Sequence, residues 1–279
     1  MVIATQNRRE SLLHTIGRLQ ALAEQPPIIV VDNGSGDGSP EAVRSDFPDV
    51  DVIALDRNLG APARNLGVRR AGTPYVAFAD DDSWWAPGAL GRAAQLFDTH
   101  PGLGLIGARI LVGPEQREDP TTAVMAISPL PSPPGLPRPA VLGFLACGAV
   151  VRRSAFLEVG GFDELLFFLG EEQLVALDLA SKGWHLSYAH DVVAHHHPSP
   201  PGDPAGRRRR QLRNDVLTAW MRRPARVVVA RTAALGAAAL RGDRPARAAL
   251  GEVLVRLPRA WRSRVRLPPA VEALVRALE

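Results

Sequence analysis

A run of apolar residues that ends abruptly in three carboxylates constrains this chain more than any other feature. Residues 75–79 read Tyr-Val-Ala-Phe-Ala and are followed by Asp80, Asp81 and Asp82. A short apolar run bounded by turn residues predicts a buried strand of an α/β sheet, and such sheets bind ligands at the carboxyl ends of their strands. The alternative is a solvated acidic turn that caps the helix predicted from Pro87 onwards.

Adjacent carboxylates repel one another, so they are favoured where a cation or the hydroxyls of a ligand offset the charge. On an extended backbone Asp80 and Asp82 share a face, and Asp81 points the other way. This arrangement predicts carboxylates that hold a divalent metal carrying a diphosphate, with one carboxylate left for a ribose or sugar hydroxyl.

The segments before the acidic run alternate between strand and helix patterns. Residues 2–5, 28–31 and 52–55 predict strands, and residues 12–23 have the spacing of a helix with one buried face. This order predicts a doubly wound sheet. Asp32 stands at the end of the second strand, where a carboxylate can accept hydrogen bonds from a nucleobase or ribose. The glycine-rich turn that follows lacks the Walker and dinucleotide spacings, which excludes those sites.

Three later segments add candidate site residues. Arg64 falls in the first turn of a predicted helix, where it could stack on a base, pair with phosphate, or lie on the surface. Glu171 and Glu172 occupy the first turn of another helix, either as favourable charges at its N-terminus or with one of them as a general base. Residues 195–197 are three histidines after a strand pattern; they form either a solvated turn or divalent-metal ligands.

Residues 113–140 are rich in Pro, Ser and Gly and predict a long loop. Together with Trp84 and Trp85, this loop either shapes the acceptor side of a site or serves packing.

Composition narrows the class of protein. The single cysteine, Cys147, excludes an internal disulfide framework and a cysteine-built zinc site. The chain enters a strand pattern at once, and no apolar run is long enough to span a bilayer, so we expect a cytoplasmic protein. Of 33 Lys and Arg residues, lysine occurs only at position 182, so the basic charge is weak support for nucleic-acid binding.

Taken in order, the motifs resemble family 2 glycosyltransferases, most of all bacterial members that transfer rhamnose or related sugars. The resemblance covers about residues 1 to 200 and rests on Thr-Gln-Asn-Arg at 5–8, Asp-Asn-Gly-Ser at 32–35, Asn-Leu-Gly at 58–60, Ala-Arg-Asn-Leu-Gly at 63–67, the triple Asp, Gly-Gly-Phe-Asp-Glu at 160–164, Gly-Glu-Glu at 170–172, Gly-Trp at 183–184 and the late histidines. It implies a GT-A fold, that is, a Rossmann-like, mostly parallel sheet with helices on both faces. The expected domains are residues 1–204, catalytic, and 205–279, a helical basic extension.

The resemblance also implies an inverting transfer with a divalent metal, Mn or Mg, from a nucleotide-diphosphate sugar such as dTDP-rhamnose or a UDP-sugar. Thr5 and Asp32 would hold the base, Arg64 would lie against the base or the diphosphate, and Asp80 and Asp81 would bind the donor. Asp82 and His195 would support the metal, and Glu172 would be the catalytic base. The family more often has Glu-Asp where this chain has Glu171-Glu172, so Glu171 stays open as the base.

The expected acceptor is a glycan, a lipid-linked molecule or a small molecule. Residues 205–279 combine arginines with helical patterns, which predicts either helices packed on the catalytic domain or a peripheral contact with the inner face of the plasma membrane. Nucleic acid is not an expected partner. Two other functions remain open: a catalytically silent nucleotide-sugar-binding module, and a nucleotidyltransferase, although residues 5–10 lack the glycine-rich phosphate loop that the latter needs.

Overall fold

The computed structural model describes residues 1–137, 139–198 and 202–279. Position 138 of the predicted loop and residues 199–201, near the predicted domain boundary, lie outside the described part. The strands are β1 (Val2–Thr5), β2 (Ile29–Asp32), β3 (Asp51–Ala54), β4 (Tyr75–Asp80), β5 (Ser83–Trp85), β6 (Leu103–Val112), β7 (Arg117–Glu118), β8 (Ala149–Arg152) and β9 (His185–His196).

The helices are α1 (Arg9–Gln20), α2 (Ser39–Asp46), α3 (Ala63–Arg70), α4 (Ala89–Thr99), α5 (Pro120–Ala126), α6 (Arg153–Glu158), α7 (Glu171–Ser181), α8 (Pro204–Arg222), α9 (Ala225–Leu240), α10 (Arg244–Arg262) and α11 (Pro269–Ala277). A 3₁₀ turn, Ala146–Gly148, precedes β8. In the described residues no helix is both long enough and apolar enough to cross a membrane.

The strands form one sheet in the order β3-β2-β1-β4-β8-β6-β9-β5, with β7 paired to β6. The first four strands are parallel, as expected for a doubly wound sheet. β8 is antiparallel to both of its neighbours, β4 and β6, and the second half of the sheet is therefore mixed. The parallel half brings the ends of β1 and β4 together, and with them Thr5 and the acidic run.

Two apolar cores cover the two faces of the sheet. Because successive side chains of a strand point to opposite faces, Ile3 and Val30 pack with α1 and α4, whereas Val2 and Val31 pack with α3, α6 and α7. Gly67 lets α3 approach the sheet, since a Cβ on Gly67 would lie 2.5 Å from the Val2 Cγ1 atom.

The structure corrects two interpretations of the segments around the acidic run. Residues 113–140 contain β7 and α5, and α5 begins because the Asp119 side chain accepts a hydrogen bond from the Thr121 backbone N–H at 2.7 Å. Trp84 and Trp85 lie in β5 and are buried, and the Trp85 indole donates to the Phe78 carbonyl. The two tryptophans therefore serve packing.

The C-terminal helices pack against the segment around α7. Residues of α8, α9 and α10 form a core with Leu165, Leu166 and Leu174, and α11 packs on Leu177. At its end, α8 is tied to α11 because Arg223 pairs with Glu272 at 2.9 Å. The predicted basic extension thus lies directly behind the two candidate glutamates.

Candidate active site

A cavity of about 690 Å³ opens where β1 and β4 end. Thr5 and all three carboxylates of the acidic run line it, together with Asn33 and Asn58 at one side. Leu145, Ala146 and Cys147 before β8, Phe167–Leu169 before α7, and Arg207 and Arg210 of α8 complete much of the wall. The carboxyl ends of parallel strands therefore form a ligand-sized site, as expected for an α/β sheet.

Each carboxylate of the acidic run pairs with an arginine, and Asp81 and Asp82 share one. Asp80 pairs with the buried Arg64. Asp81 accepts a hydrogen bond from the Thr5 hydroxyl at 2.8 Å and pairs with Arg8 Nε at 2.6 Å. Asp82 pairs with Arg8 Nη2 at 2.7 Å. The expectation that Asp81 points away from its neighbours is wrong, because the chain turns after β4 and Arg8 draws Asp81 and Asp82 together.

The negative charge of the run is therefore compensated by arginines. Burial raises the pKa of Asp81 to about 7, although Arg8 and Thr5 act in the opposite direction. Arg8 was missed as a candidate from the sequence. The sequence feature that could have indicated Arg8 is its position directly after a strand end, three residues beyond Thr5.

The histidine that faces the carboxylates is His196. Its Nε2 atom lies 3.3 Å from the Asp82 carboxylate, which raises the pKa of His196 against the opposing effect of burial. The ring of His195 instead stacks on Trp84, with the centroids 5.9 Å apart, and His197 also contacts Trp84. The assignment of His195 beside a metal therefore needs correction, because β9 alternates and only His196 points into the cavity.

The carboxylates and His196 form a possible cation site. Asp80, Cys147 and His196 present ligand atoms within 4.8 Å of one another. Burial holds the pKa of the Cys147 thiol well above its usual range, so this group stays protonated. Oxygen and nitrogen ligands suit Mg²⁺ and Mn²⁺, so within this group Asp80 and His196 are the side chains that suit such an ion. Cys147 forms part of the cavity wall, and Asp82 lies outside the group but next to His196.

The end of β2 lies next to the side of the cavity that Asn33 and Asn58 line. Asp32 is buried; its Oδ2 atom accepts from the Ser35 backbone N–H at 2.8 Å, and its Oδ1 atom has no hydrogen-bond partner among the described residues. Asn33 Oδ1 accepts from the Leu59 backbone N–H at 2.9 Å, which ties this strand end to the segment before α3. Asp32 therefore retains one unpaired oxygen, but it is 1% exposed and is not among the residues that line the cavity, whereas its neighbour Asn33 is.

The two glutamates at the start of α7 have different surroundings. Glu172 lines the cavity, and its Oε1 atom accepts a hydrogen bond from the Ala146 backbone N–H at 3.2 Å. Glu171 is only 2% exposed and does not line the cavity. Burial raises the pKa of Glu172, and it raises that of Glu171 to about 8. The geometry therefore separates the two residues that the sequence left open: Glu172 faces the cavity, and Glu171 does not.

The loop that leads into α7 has an unusual backbone and an external support. Phe167 and Leu169 have φ values of 65° and 73°, which side-chain-bearing residues rarely adopt. The buried Asn214 amide of α8 donates to the carbonyls of Leu166, Phe168 and Leu169. Arg213 Nη2 also donates to the Leu166 carbonyl, at 2.7 Å. No pattern in the sequence indicates that two residues of the C-terminal extension hold this loop.

The sequence matches a known protein family over more than half of its length. Residues 1–160 match the family described as glycosyl transferase family 2. The chain belongs to this family. An N-acetylglucosaminyl-diphospho-decaprenol L-rhamnosyltransferase of Mycobacterium tuberculosis is 29% identical in an alignment of 242 residues. The alignment covers 74% of this chain and 78% of the relative. A pre-mycofactocin glycosyltransferase of the same organism is 32% identical over 71% of this chain, which spans only 42% of that relative.

Among solved structures, a mannosyltransferase from Pyrobaculum calidifontis in complex with GDP-Man and Mn²⁺ is similar, with a TM-score of 0.58 and 20% identity over 99% of this chain and 84% of the neighbour. The GT-A fold expected from the sequence is confirmed. The cavity at the ends of β1 and β4 is thus the candidate active site of a family 2 glycosyltransferase.

We expect Asn214→Ala to destabilise this glycosyltransferase and to lower its activity. The substitution removes the donor from the carbonyls of Phe168 and Leu169, while Arg213 still donates to Leu166, and each buried polar group left unpaired costs ~1–3 kcal/mol. The free energy of unfolding, measured in urea, should therefore fall by about 2 kcal/mol or more.

Gln211→Ala is the matched control on the same helix, because Gln211 makes one exposed hydrogen bond, to Asp215 at 3.0 Å. Its effect should stay within ~0.5 kcal/mol. Equal losses in the two variants would show that the Asn214 amide does not hold the loop.

Glu171 makes the stability of this glycosyltransferase depend on pH. Its pKa is about 8 in the folded protein and ~4.3 in an unfolded chain. Between these values the folded state binds more protons than the unfolded state, so the stability contributed by protonated Glu171 is lost as the pH rises through this window. The melting temperature of Glu171→Gln should therefore decline less between pH 5 and pH 8, about the limits of this window, than that of the wild type. Parallel curves would contradict the raised pKa.

Proposed function

We propose that this family 2 glycosyltransferase transfers a sugar, with inversion at the anomeric carbon, from a nucleotide-diphosphate sugar to an acceptor hydroxyl. The observation that carries the proposal is that Glu172 opens onto the same cavity as Asp80, Asp82 and His196. A base and an acidic cluster on one cavity are what such a transfer requires: one group to take the acceptor's proton and another region to hold the leaving diphosphate.

The donor would lie along the cavity from the ends of β1 and β2 to the acidic run. Thr5 and Asn33 line the side that would take the base and ribose. Asp32, buried next to Asn33 with one oxygen unpaired among the described residues, would hold the base from behind this wall. Arg64 would lie against the diphosphate or the base. The role of Asp81 is to hold Thr5 and Arg8.

Asp80, Asp82 and His196 would hold the divalent cation, Mn²⁺ or Mg²⁺. When bound, the cation supplies positive charge that offsets the diphosphate leaving group. The Mn²⁺ in the similar mannosyltransferase supports this choice of ion. The chain itself supplies Arg8 and Arg64, whose guanidinium groups already offset the carboxylates at this place.

Glu172 would act as the base. Its carboxylate takes the proton of the acceptor hydroxyl while that oxygen forms a bond to the anomeric carbon, and the bond between this carbon and the diphosphate oxygen breaks. The nucleoside diphosphate leaves with the bonding electron pair. Burial raises the pKa of Glu172, which makes it a stronger base once it is ionised. The neighbouring Glu171, whose pKa is about 8, is largely protonated at neutral pH and adds little negative charge.

For the acceptor, we propose a lipid-linked diphosphate saccharide. The similar mycobacterial rhamnosyltransferase is named for a diphospho-decaprenol acceptor, and this chain spans 78% of that protein. A sugar of the rhamnose class is the matching choice for the donor.

The experiment that tests the function is a thermal-shift screen with UDP, dTDP, GDP and CMP, each with and without Mn²⁺ or Mg²⁺. A ligand that binds only the folded state raises the melting temperature, and the acceptor need not be known. A metal-dependent rise with one diphosphonucleotide is the expected result. No rise in a folded protein would overturn the donor site. A rise without any release of nucleoside diphosphate from the matching donor sugar would favour the catalytically silent binding module.

A further inference from the structure

A second groove lies between α8 and α10 and is strongly basic. It has a volume of about 760 Å³, and five arginines line it against two glutamates: Arg209, Arg210, Arg213, Arg256 and Arg259 against Glu164 and Glu252. An excess of guanidinium groups around one groove favours an anion with more than one negative charge. We call it the arginine groove.

The charges in the arginine groove are unevenly paired. Glu252 lies 2.6 Å from Arg213 and 3.1 Å from Arg209, and Glu164 lies 3.1 Å from Arg259. Arg210 forms no ion pair with any described residue, and its Nε atom is buried without a hydrogen-bond partner there. The two carboxylates are thus already engaged, and Arg210 retains its full capacity to bind an anion.

The arginine groove is continuous with the candidate active site. Arg210 and Phe167 line both cavities, and Arg207, one helical turn before Arg210, lines the active-site cavity. Phe167 belongs to the loop that leads directly to Glu172. A molecule whose hydroxyl reaches Glu172 can therefore extend past Arg210 into the groove.

Beyond the arginines, α10 presents apolar side chains to solvent. Val255 lines the arginine groove and is 79% exposed. Leu254 is 62% exposed and Trp261 is 61% exposed, and both line a neighbouring depression with Trp220, Leu257 and Pro258. Exposed apolar side chains beside arginines are typical of surfaces that meet lipid chains.

We infer that the arginine groove is the acceptor subsite: it binds the acceptor's diphosphate, and the apolar face of α10 receives the chain attached to that diphosphate. The order along the surface is Glu172 for the acceptor's sugar, the arginines for its diphosphate, and Val255 and Leu254 for its apolar chain. Guanidinium groups match phosphate oxygens in geometry as well as in charge. This inference rests on the proposed transferase function and specifies its acceptor.

Farnesyl diphosphate is the probe, used on the full chain in EDTA so that metal-assisted binding at the donor site is absent. We expect it to bind at least ~10-fold more tightly than inorganic diphosphate, because its chain buries apolar surface. Arg256→Ala should weaken binding of farnesyl diphosphate by ~10-fold or more, because one charge-assisted contact is lost. Val255→Ser should weaken binding of farnesyl diphosphate but not of inorganic diphosphate.

Arg226→Ala is the matched control, since Arg226 is an exposed arginine of α9 that lines neither cavity. It should bind farnesyl diphosphate as the wild type does. Equal effects of Arg256→Ala and Arg226→Ala, or displacement of the probe by UDP, would overturn the acceptor subsite. Binding to phosphatidylglycerol vesicles without binding to farnesyl diphosphate would overturn it too, in favour of a contact with bulk lipid.

The measurements distinguish a wrong assignment of the arginine groove from a wrong assignment of the donor site. Probe binding is measured without nucleotide or metal, so an absent nucleotide response with intact, Arg256-dependent probe binding would overturn the donor site alone. A metal-dependent nucleotide response together with probe binding that ignores Arg256 would overturn the groove alone.

Discussion

Glu172→Gln should lower the rate of sugar transfer by ~10²–10⁴-fold, the usual contribution of a general base. The amide keeps the shape of the side chain and can still accept the Ala146 hydrogen bond, but it cannot take a proton from the acceptor. Nucleotide binding should be retained. The two measurements are the single-turnover transfer rate and the thermal shift with nucleotide and metal.

Glu171→Gln is the matched control for Glu172→Gln, one residue away on the same helical turn. Because Glu171 is buried outside the cavity and largely protonated at neutral pH, its amide should transfer sugar at nearly the wild-type rate. If Glu171→Gln loses transfer and Glu172→Gln keeps it, the assignment of the base is reversed.

Asp82→Asn should remove the metal dependence of nucleotide binding. The substitution takes one negative charge from the cluster that would hold the cation and leaves Arg8 with Asp81 as its remaining carboxylate partner. The loss of a metal ligand should lower the affinity for the metal by at least ~10-fold, because removing a side chain that only hydrogen-bonds to a ligand already lowers it by that factor. The measurement is the Mn²⁺ concentration that gives half of the thermal shift at a saturating concentration of the nucleotide identified by the screen.

Two neighbouring histidines sharpen this test. His196→Gln should raise the Mn²⁺ concentration needed, because His196 faces Asp82, whereas His195→Gln should not, because His195 packs on Trp84. Asp191→Asn, which changes an exposed carboxylate paired with Arg92, is the control for the loss of a negative charge. If Asp82→Asn and His196→Gln need the same Mn²⁺ concentration as the wild type, Asp82 and His196 do not bind the metal.

The local sequence was sufficient to predict the parallel half of the sheet. The strands β1 and β2 are short apolar runs that end in polar residues, and such runs have few alternatives in an α/β chain. α5 was missed although its cap, Asp119, directly precedes it, because the surrounding Pro, Ser and Gly residues favoured a loop. β5 was missed because it depends on its pairing with β9. Pairing partners that are distant in the chain leave no signal in a local pattern.

The sequence alone was enough to predict the family and the fold, because the order of strand-end motifs is local. It also predicted the approximate place of the site, because carboxylates that follow a buried strand must lie at its end. The tertiary structure decided which member of each pair faces the cavity. The alternation of β9 turns His196 rather than His195 to Asp82, and the start of α7 turns Glu172 rather than Glu171 to the cavity. It also decided that Asn214 holds the loop before α7, because this contact joins residues about 45 positions apart, and no local pattern records it.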